Sequence, residues 1–249
     1  MAIVATNSAE RLPIVTSLVK AGTRRLILEK VLFTRLEDYE VAEDMFIRTG
    51  ASVWVNCGRR FSPRARYVAQ MLDGKTFDYS VQGAGWGLGC NVVHHLDEFA
   101  MLAGCDDIVL SGEALDRETI PSKRAGYIEF TGTLSGASAN GCSFSAYCAP
   151  GQFSGRDVTI ATEGLSLRIS QVDQTLAIAN GKDVRTEPFP IPLQSDATAR
   201  HVMDIMEGRQ PALPDYARAA RLHRSMLGAF LSHLRAIAGN PEIDECPIT

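Results

Sequence analysis

The sequence has no run approaching the ~18–20 apolar residues needed to span a bilayer. Its opening, MAIVATNSAERLP, lacks a basic start followed by a long apolar stretch, so no secretory signal is expected. A basic stripe is missing too. The formal net charge of −4 argues against a dedicated nucleic-acid binder. Basic pairs do occur at Arg24-Arg25, Arg59-Arg60 and Lys123-Arg124, where each is either solvated surface or a ligand contact. The six cysteines (57, 90, 105, 142, 148, 246) show no CxxC or other zinc spacing. They read as reduced cytoplasmic thiols rather than a disulfide framework. There is no HExxH, no GxGxxG and no GxxxxGK[ST].

What is present is ordinary globular usage. Of 249 residues, 45% are hydrophobic and 22% charged, enough to build one or two cored domains. Ala2–Ala5 is a continuous apolar run, as in a buried parallel strand. Pro13 suits the first turn of a following helix, and Gly22 the position past its end. Arg25–Leu28 is a second apolar run, stopped by Glu29-Lys30. Strand, helix and strand within about 30 residues make a βαβ unit. Another helix is expected over Leu36–Arg48.

From Ser52 the rhythm changes. Strand Ser52–Val55, helix Pro63–Leu72 and strand Phe77–Gln82 precede a glycine-rich loop, Gly83–Gly89, and a helix from Cys90 to Leu102. Strand-like runs follow at 108–115, 126–132, 143–148, 158–161 and 165–169, separated by turn residues. Helices at 196–207 and 215–238 close the chain. The fold class expected is α/β then α+β. A partial Rossmann-type parallel βαβ unit (1–50) is followed by a larger domain (51–249) with an open, mainly antiparallel sheet and flanking helices.

Three stretches carry chemistry. In an open parallel sheet, ligands bind beyond the carboxyl ends of the strands, here Thr6-Asn7-Ser8 and Glu29-Lys30. Lys30 either donates to a substrate oxygen and shuttles its proton, or caps a loop. On the helix after the glycines, Asn91, His94 and Asp97 share one stripe with Glu98. His94 is an acid/base candidate or an incidental surface histidine. His95 lies nearer the apolar side and reads as packed. A metal site from His94, His95 and Asp97 is a weaker alternative, which a sugar isomerase would use. Lys123-Arg124 either holds an anionic sugar or phosphate group or belongs to a charged hairpin.

Taken in order, these segments resemble the glucose–fructose oxidoreductase and inositol dehydrogenase family, Gfo/Idh/MocA. Ala5-Thr6-Asn7, Gly22 and Leu28-Glu29-Lys30 resemble its "AT.N … AG … EKP" stretch. Asn56–Phe61 is similar to its "N.RRF" strand end, and His94–Asp97 to its "H.LD" helix. Leu213-Pro214-Asp215 through His223 to Leu234 resembles its last helix. Trp86–Asn91, Lys123–Phe130 and Cys246–Thr249 look like a subgroup associated with bacterial surface-sugar biosynthesis.

The resemblance implies an NAD- or NADP-dependent oxidoreductase acting on a sugar or nucleotide-sugar hydroxyl or carbonyl, oligomeric through its open sheet. Lys30 would take the place of the catalytic lysine and His94 that of the active-site histidine. Thr6, Asn7, Glu29 and Lys30 would line the nicotinamide end of the cofactor. Arg60, Asn91, Lys123 and Arg124 would contact substrate. Val31 departs from the family's proline, and Cys90 from its aspartate. The glycine fingerprint half, roughly 60–80 residues by element size, has no counterpart here, leaving an expected two-stranded parallel remnant. The alternative to an active enzyme is therefore a catalytically inactive or partner-dependent sugar-binding and dimerisation module.

Overall fold

The apolar runs at the start become parallel strands β1 (Ala2–Val4) and β2 (Arg25–Leu28), joined by helix α1 (Ser8–Lys20). The structure, a computed structural model, describes residues 1–61, 63–190 and 194–249. Helix α1 starts earlier than expected, so Pro13 lies inside it rather than in its first turn. Tertiary bonds fix that early start: the Ser8 amide donates to Thr249 Oγ1 at 3.1 Å, and the Ser8 hydroxyl to the Ile248 carbonyl.

After helix α2 (Leu36–Thr49), strand β3 (Ser52–Val55) lies parallel to β2, with Val55 opposite Leu28. The parallel sheet thus has three strands, β1-β2-β3, where two were expected, and a 50/51 division cuts across it. A four-residue apolar run does not declare which neighbour it will pair with, so composition could not reveal this.

A 3₁₀ turn (Gly58–Phe61) and helix α3 (Pro63–Leu72) lead to β4 (Asp78–Ala84) and helix α4 (Leu88–Ala103). Strands β5 (Ile108–Ser111), β6 (Ile120–Pro121), β7 (Ile128–Glu129), β8 (Gly132–Ser138) and β9 (Ser143–Ala149) follow. Then come β10 (Arg156–Thr162), β11 (Leu165–Ser170), β12 (Thr175–Asn180) and β13 (Asp183–Pro188). The large sheet runs β13-β12-β11-β10-β4-β9-β8-β5. Only β4 and β9 pair in parallel there, so the expected mainly antiparallel character holds. Strands β6, β8, β12 and β13 were not foreseen. Edge strand β13, DVRTEP, is mostly exposed and presents no core face to be read.

Helices α5 (Gln194–Met206) and α6 (Tyr216–Ala238) complete the chain. Helix α6 packs on α2, α4 and β5, its Phe230 stacked on Phe130 at 4.3 Å. Its first turn is capped by Asp215, whose carboxylate accepts the Arg218 amide at 2.8 Å. The last four residues tuck back beneath the junction of the two sheets. The Cys246 amide bonds to Thr34 O (2.9 Å), and the Ile128 amide to Pro247 O (2.8 Å). Among the described residues, no helix is long and apolar enough to cross a membrane.

His223 sits wholly inside this core, its Nδ1 2.8 Å from Ala219 O. Burial pushes its pKa down to about 4. The unfolded chain protonates the same imidazole near 6.5, so its stabilising effect is complete above that pH and is lost as pH falls toward 4. We expect denaturant titrations to show up to about 3 kcal/mol of such loss from this residue, and His223→Gln to have a shallower acid slope. An unchanged slope would contradict this placement.

Candidate functional site

The ends of β1 and β2 deliver Ala5, Thr6, Glu29 and Lys30 to one wall of a cleft of about 620 Å³. The opposite wall comes from the Gly85–Gly87 turn, Cys90 and Asn91 of α4, Lys123, Arg124, Glu129 and Thr249. Lys30 Nζ crosses the gap to donate to the Cys90 carbonyl at 2.8 Å. Glu29 Oε1 accepts the Asn56 side-chain amide at 2.5 Å, tying β2 to the end of β3. Thr6 Oγ1 is buried with no hydrogen-bond partner. Asn7 is the N-cap of α1 and does not contribute to the cleft lining.

Two charged residues that the sequence reading missed hold these walls. Arg11 is buried in α1, and its guanidinium donates to the carbonyls of Thr6, Val31 and Leu32. It therefore fixes the strand ends on either side of Lys30. A signal existed: Ser8, Arg11, Val15 and Val19 form the buried stripe of α1, so an arginine stood at a core position.

Glu129 is the second. Helix α4 begins at Gly87, whose φ of 71° suits glycine, and no side chain of the helix caps it. A Cβ at Gly87 would also meet Cys90 Sγ at 2.8 Å. Glu129 Oε2 instead accepts the Gly89 amide at 2.7 Å, a carboxylate cap supplied from another element. Burial pushes the Glu129 carboxyl upward, opposed by bonds from the Cys90 side chain and backbone and by the Lys30 charge. Burial and the Glu129 charge push the Cys90 thiol up to about 12, so it stays a thiol.

Further along α4, His94 is half-buried with its Nδ1 unpartnered. Burial, then the charges of Arg59, Lys30 and Arg156, hold it well below the ordinary imidazole range. It is neutral at pH 7. His95 is packed as expected, its Nδ1 3.0 Å from the Tyr79 hydroxyl and its Nε2 3.1 Å from Arg59 Nη1. Arg60, expected beside the substrate cleft, is a correction. Its side chain is 1% exposed, bound to Asp97 through Nε–Oδ2 (2.9 Å) and Nη2–Oδ1 (2.7 Å). A buried charge demands a partner, and of two adjacent arginines the inner one took it. Asp97 is thereby occupied, and among the described residues no group of three His, Cys, Asp or Glu could hold a metal.

Asn91 Nδ2 donates to Trp86 O at 2.7 Å, and among the described residues its oxygen has no hydrogen-bond partner in the cleft wall. Lys123 and Arg124 line the rim, Arg124 Nη1 reaching Thr249 Oγ1 at 3.3 Å.

No protein-family model matches the sequence, and no curated protein matches it. Solved structures do match in fold. The chain is similar to UDP-N-acetylglucosamine 3-dehydrogenase GnnA from Acidithiobacillus ferrooxidans, with 13% identity and a TM-score of 0.72, covering 92% of this chain and 76% of that one. It is similar to KijD10, a 3-ketoreductase from Actinomadura kijaniata solved with NADP (16%, TM-score 0.70, 91% and 75%). A third is an oxidoreductase from Agrobacterium radiobacter solved with NAD+, L-tartaric acid and magnesium (12%, TM-score 0.68, 95% and 80%). At these identities the likeness is one of fold.

The capping role of Glu129 predicts that Glu129→Ala lowers stability by about 1–3 kcal/mol, because the Gly89 amide loses its acceptor. Urea denaturation checks this, and Glu129→Gln should recover most of the loss. Equal stability of all three chains would contradict it.

Proposed function

We propose that this chain is an oxidoreductase of the Gfo/Idh/MocA type, interconverting a hydroxyl and a carbonyl on a sugar or nucleotide-sugar with NAD or NADP. The observation that supports it most is the meeting of Lys30 with the first turn of α4, at the lip of the cleft and one turn before His94. His94 follows Cys90 by one turn of α4, just outside the residues that line the cleft.

The residues present fit the nicotinamide end of such a cofactor. Thr6 Oγ1, buried and unpartnered at the mouth of a parallel sheet, suits an amide partner. Thr6, Glu29 and Lys30 would hold that end, while Asn7, the N-cap of α1, stands outside the cleft lining. No GxGxxG stands in these 249 residues, so they supply no glycine cradle for a pyrophosphate. The bound dinucleotide supplies hydride acceptance or donation.

The chain's own groups do the rest. Lys30 Nζ holds the carbinol oxygen and moves its proton during the redox step. His94, kept neutral, accepts or donates a hydrogen bond to the same hydroxyl. Trp86 and Phe130, both buried in the cleft wall, keep water from the reacting carbon. Asn91, Lys123 and Arg124 bind the remainder of the substrate. The reading extends to a cytoplasmic homo-oligomer joined through the open sheet. Six free cysteines support the compartment, and exposed Val109, Tyr147 and Val184 on the sheet support the contact.

The second reading, a partner-dependent or inactive sugar-binding module, is favoured by the missing fingerprint. One assay separates the two. Oxidation of NADH or NADPH by keto-sugars should be measurable, and Lys30→Met should reduce kcat by roughly 10²–10⁴-fold with an unchanged circular dichroism spectrum. Turnover undiminished in Lys30→Met would sink the assigned role. Absence of any turnover would favour the module.

A further inference from the structure

Outside the residues that line the cleft, two guanidiniums stand about Trp86 and His95, with no ion-pair partner among the described residues. Arg59, from the 3₁₀ turn after β3, lies 3.1 Å from His95 Nε2. Arg156 opens β10 opposite Gly83 of β4. Its guanidinium carbon stands 5.5 Å from the Trp86 ring, itself edge-on to His95 at 5.9 Å. The two cations thus flank one Trp86–His95 pair. Among the described residues each bonds to a neutral side chain: Arg59 to His95, and Arg156 Nε to Gln171 Oε1 at 2.9 Å.

Among the described residues, no carboxylate lies within 4.0 Å of either guanidinium. The Glu98 carboxylate, on the same helix, accepts the Tyr79 hydroxyl at 3.0 Å. Two polar nitrogens remain buried and unbonded here: Arg156 Nη1 and His94 Nδ1. Unpaired, partly buried like charges are costly, and such a group is stable only when something negative completes it. Burial and the Arg59 charge push Arg156 down to about 10, which leaves it cationic at neutral pH.

We propose that Arg59 and Arg156 form an anion subsite, and that the substrate is a sugar bearing an acidic group, a carboxylate or a phosphate. Guanidinium forks match both groups, and two forks exceed what a neutral hydroxyl needs. Helix α4 relates this subsite to the proposed chemistry, since its Cys90 carbonyl holds Lys30 while its His95 holds Arg59. Trp86 joins the regions physically, lining the cleft while lying under Arg156. The acidic group is thereby anchored at β10 while the carbinol is offered to Lys30. The role given to that carbinol rests on the oxidoreductase reading; the anion subsite itself does not.

The test is calorimetric titration of the full chain, without cofactor, with glucuronate, glucose 6-phosphate and glucose. At least one acidic sugar should bind roughly tenfold or more tighter than glucose, and which one does so identifies the group. Arg59→Gln and Arg156→Gln should each remove that preference. If these variants misfold, phenylglyoxal labelling of the wild-type chain replaces them. The preferred acid should then protect Arg59 and Arg156 from modification. Equal binding of all three sugars overturns the proposal. So does a preference lost in Lys123→Gln/Arg124→Gln but kept in the Arg59 and Arg156 variants. Acid-selective binding without any nicotinamide turnover upholds the subsite and counts against the oxidoreductase reading. Turnover of neutral and acidic sugars with equal KM does the reverse.

Discussion

The first turn of α4 is gripped by opposite charges, and the cleft depends on that grip. The Glu129 carboxylate takes the Gly89 amide, and the Lys30 ammonium takes the Cys90 carbonyl. One contact comes from the end of β7, which pairs antiparallel with β6, and the other from the end of the parallel sheet. The helix end is therefore the hinge pin between the two halves. Glu129 cannot be moved without freeing helix amides, nor Lys30 without opening the gap. Behind them Arg11 holds the carbonyls of Val31 and Leu32, just after Lys30, and that of Thr6, and the chain's last residues bond to α1 and β7. A lysine used for proton transfer needs such bracing, because small displacements of a reacting group are costly in rate.

The electrostatics divide the site by function. Around α4, burial keeps His94, His95 and the Cys90 thiol uncharged. The positive charges stand around them, with Lys30 on one side and Arg59 and Arg156 on the other. Asp97, which could have offset them, is consumed by Arg60 deeper in the core. On the proposed reading, uncharged imidazoles beside these cations suit proton handling on a substrate that carries its own negative charge.

Much of this was legible in the sequence. The opening apolar runs and Gly22 marked β1, α1 and β2, while Pro13 misplaced the start of α1. Helical spacing separated packed His95 from His94, and the position of Lys30 after a buried run placed it at a strand end. What stayed hidden depends on tertiary pairing. Nothing local says that Ser52–Val55 joins β2, or that an unremarkable Glu129 would cap a helix distant in sequence. Arg59 and Arg60 look alike in a motif, and only burial against Asp97 singles out Arg60 as structural. Arg11 was readable from its stripe, but a charged residue is easily assigned to solvent.

The central claim is that hydride chemistry takes place in the crevice between Lys30 and α4. Incubation with a keto-sugar and nicotinamide dinucleotide deuterated at the transferring carbon, followed by mass spectrometry of the sugar, tests it most directly. The account predicts a single deuterium on the new carbinol carbon. A reduced sugar carrying none, or no reduced sugar with either dinucleotide, would contradict it.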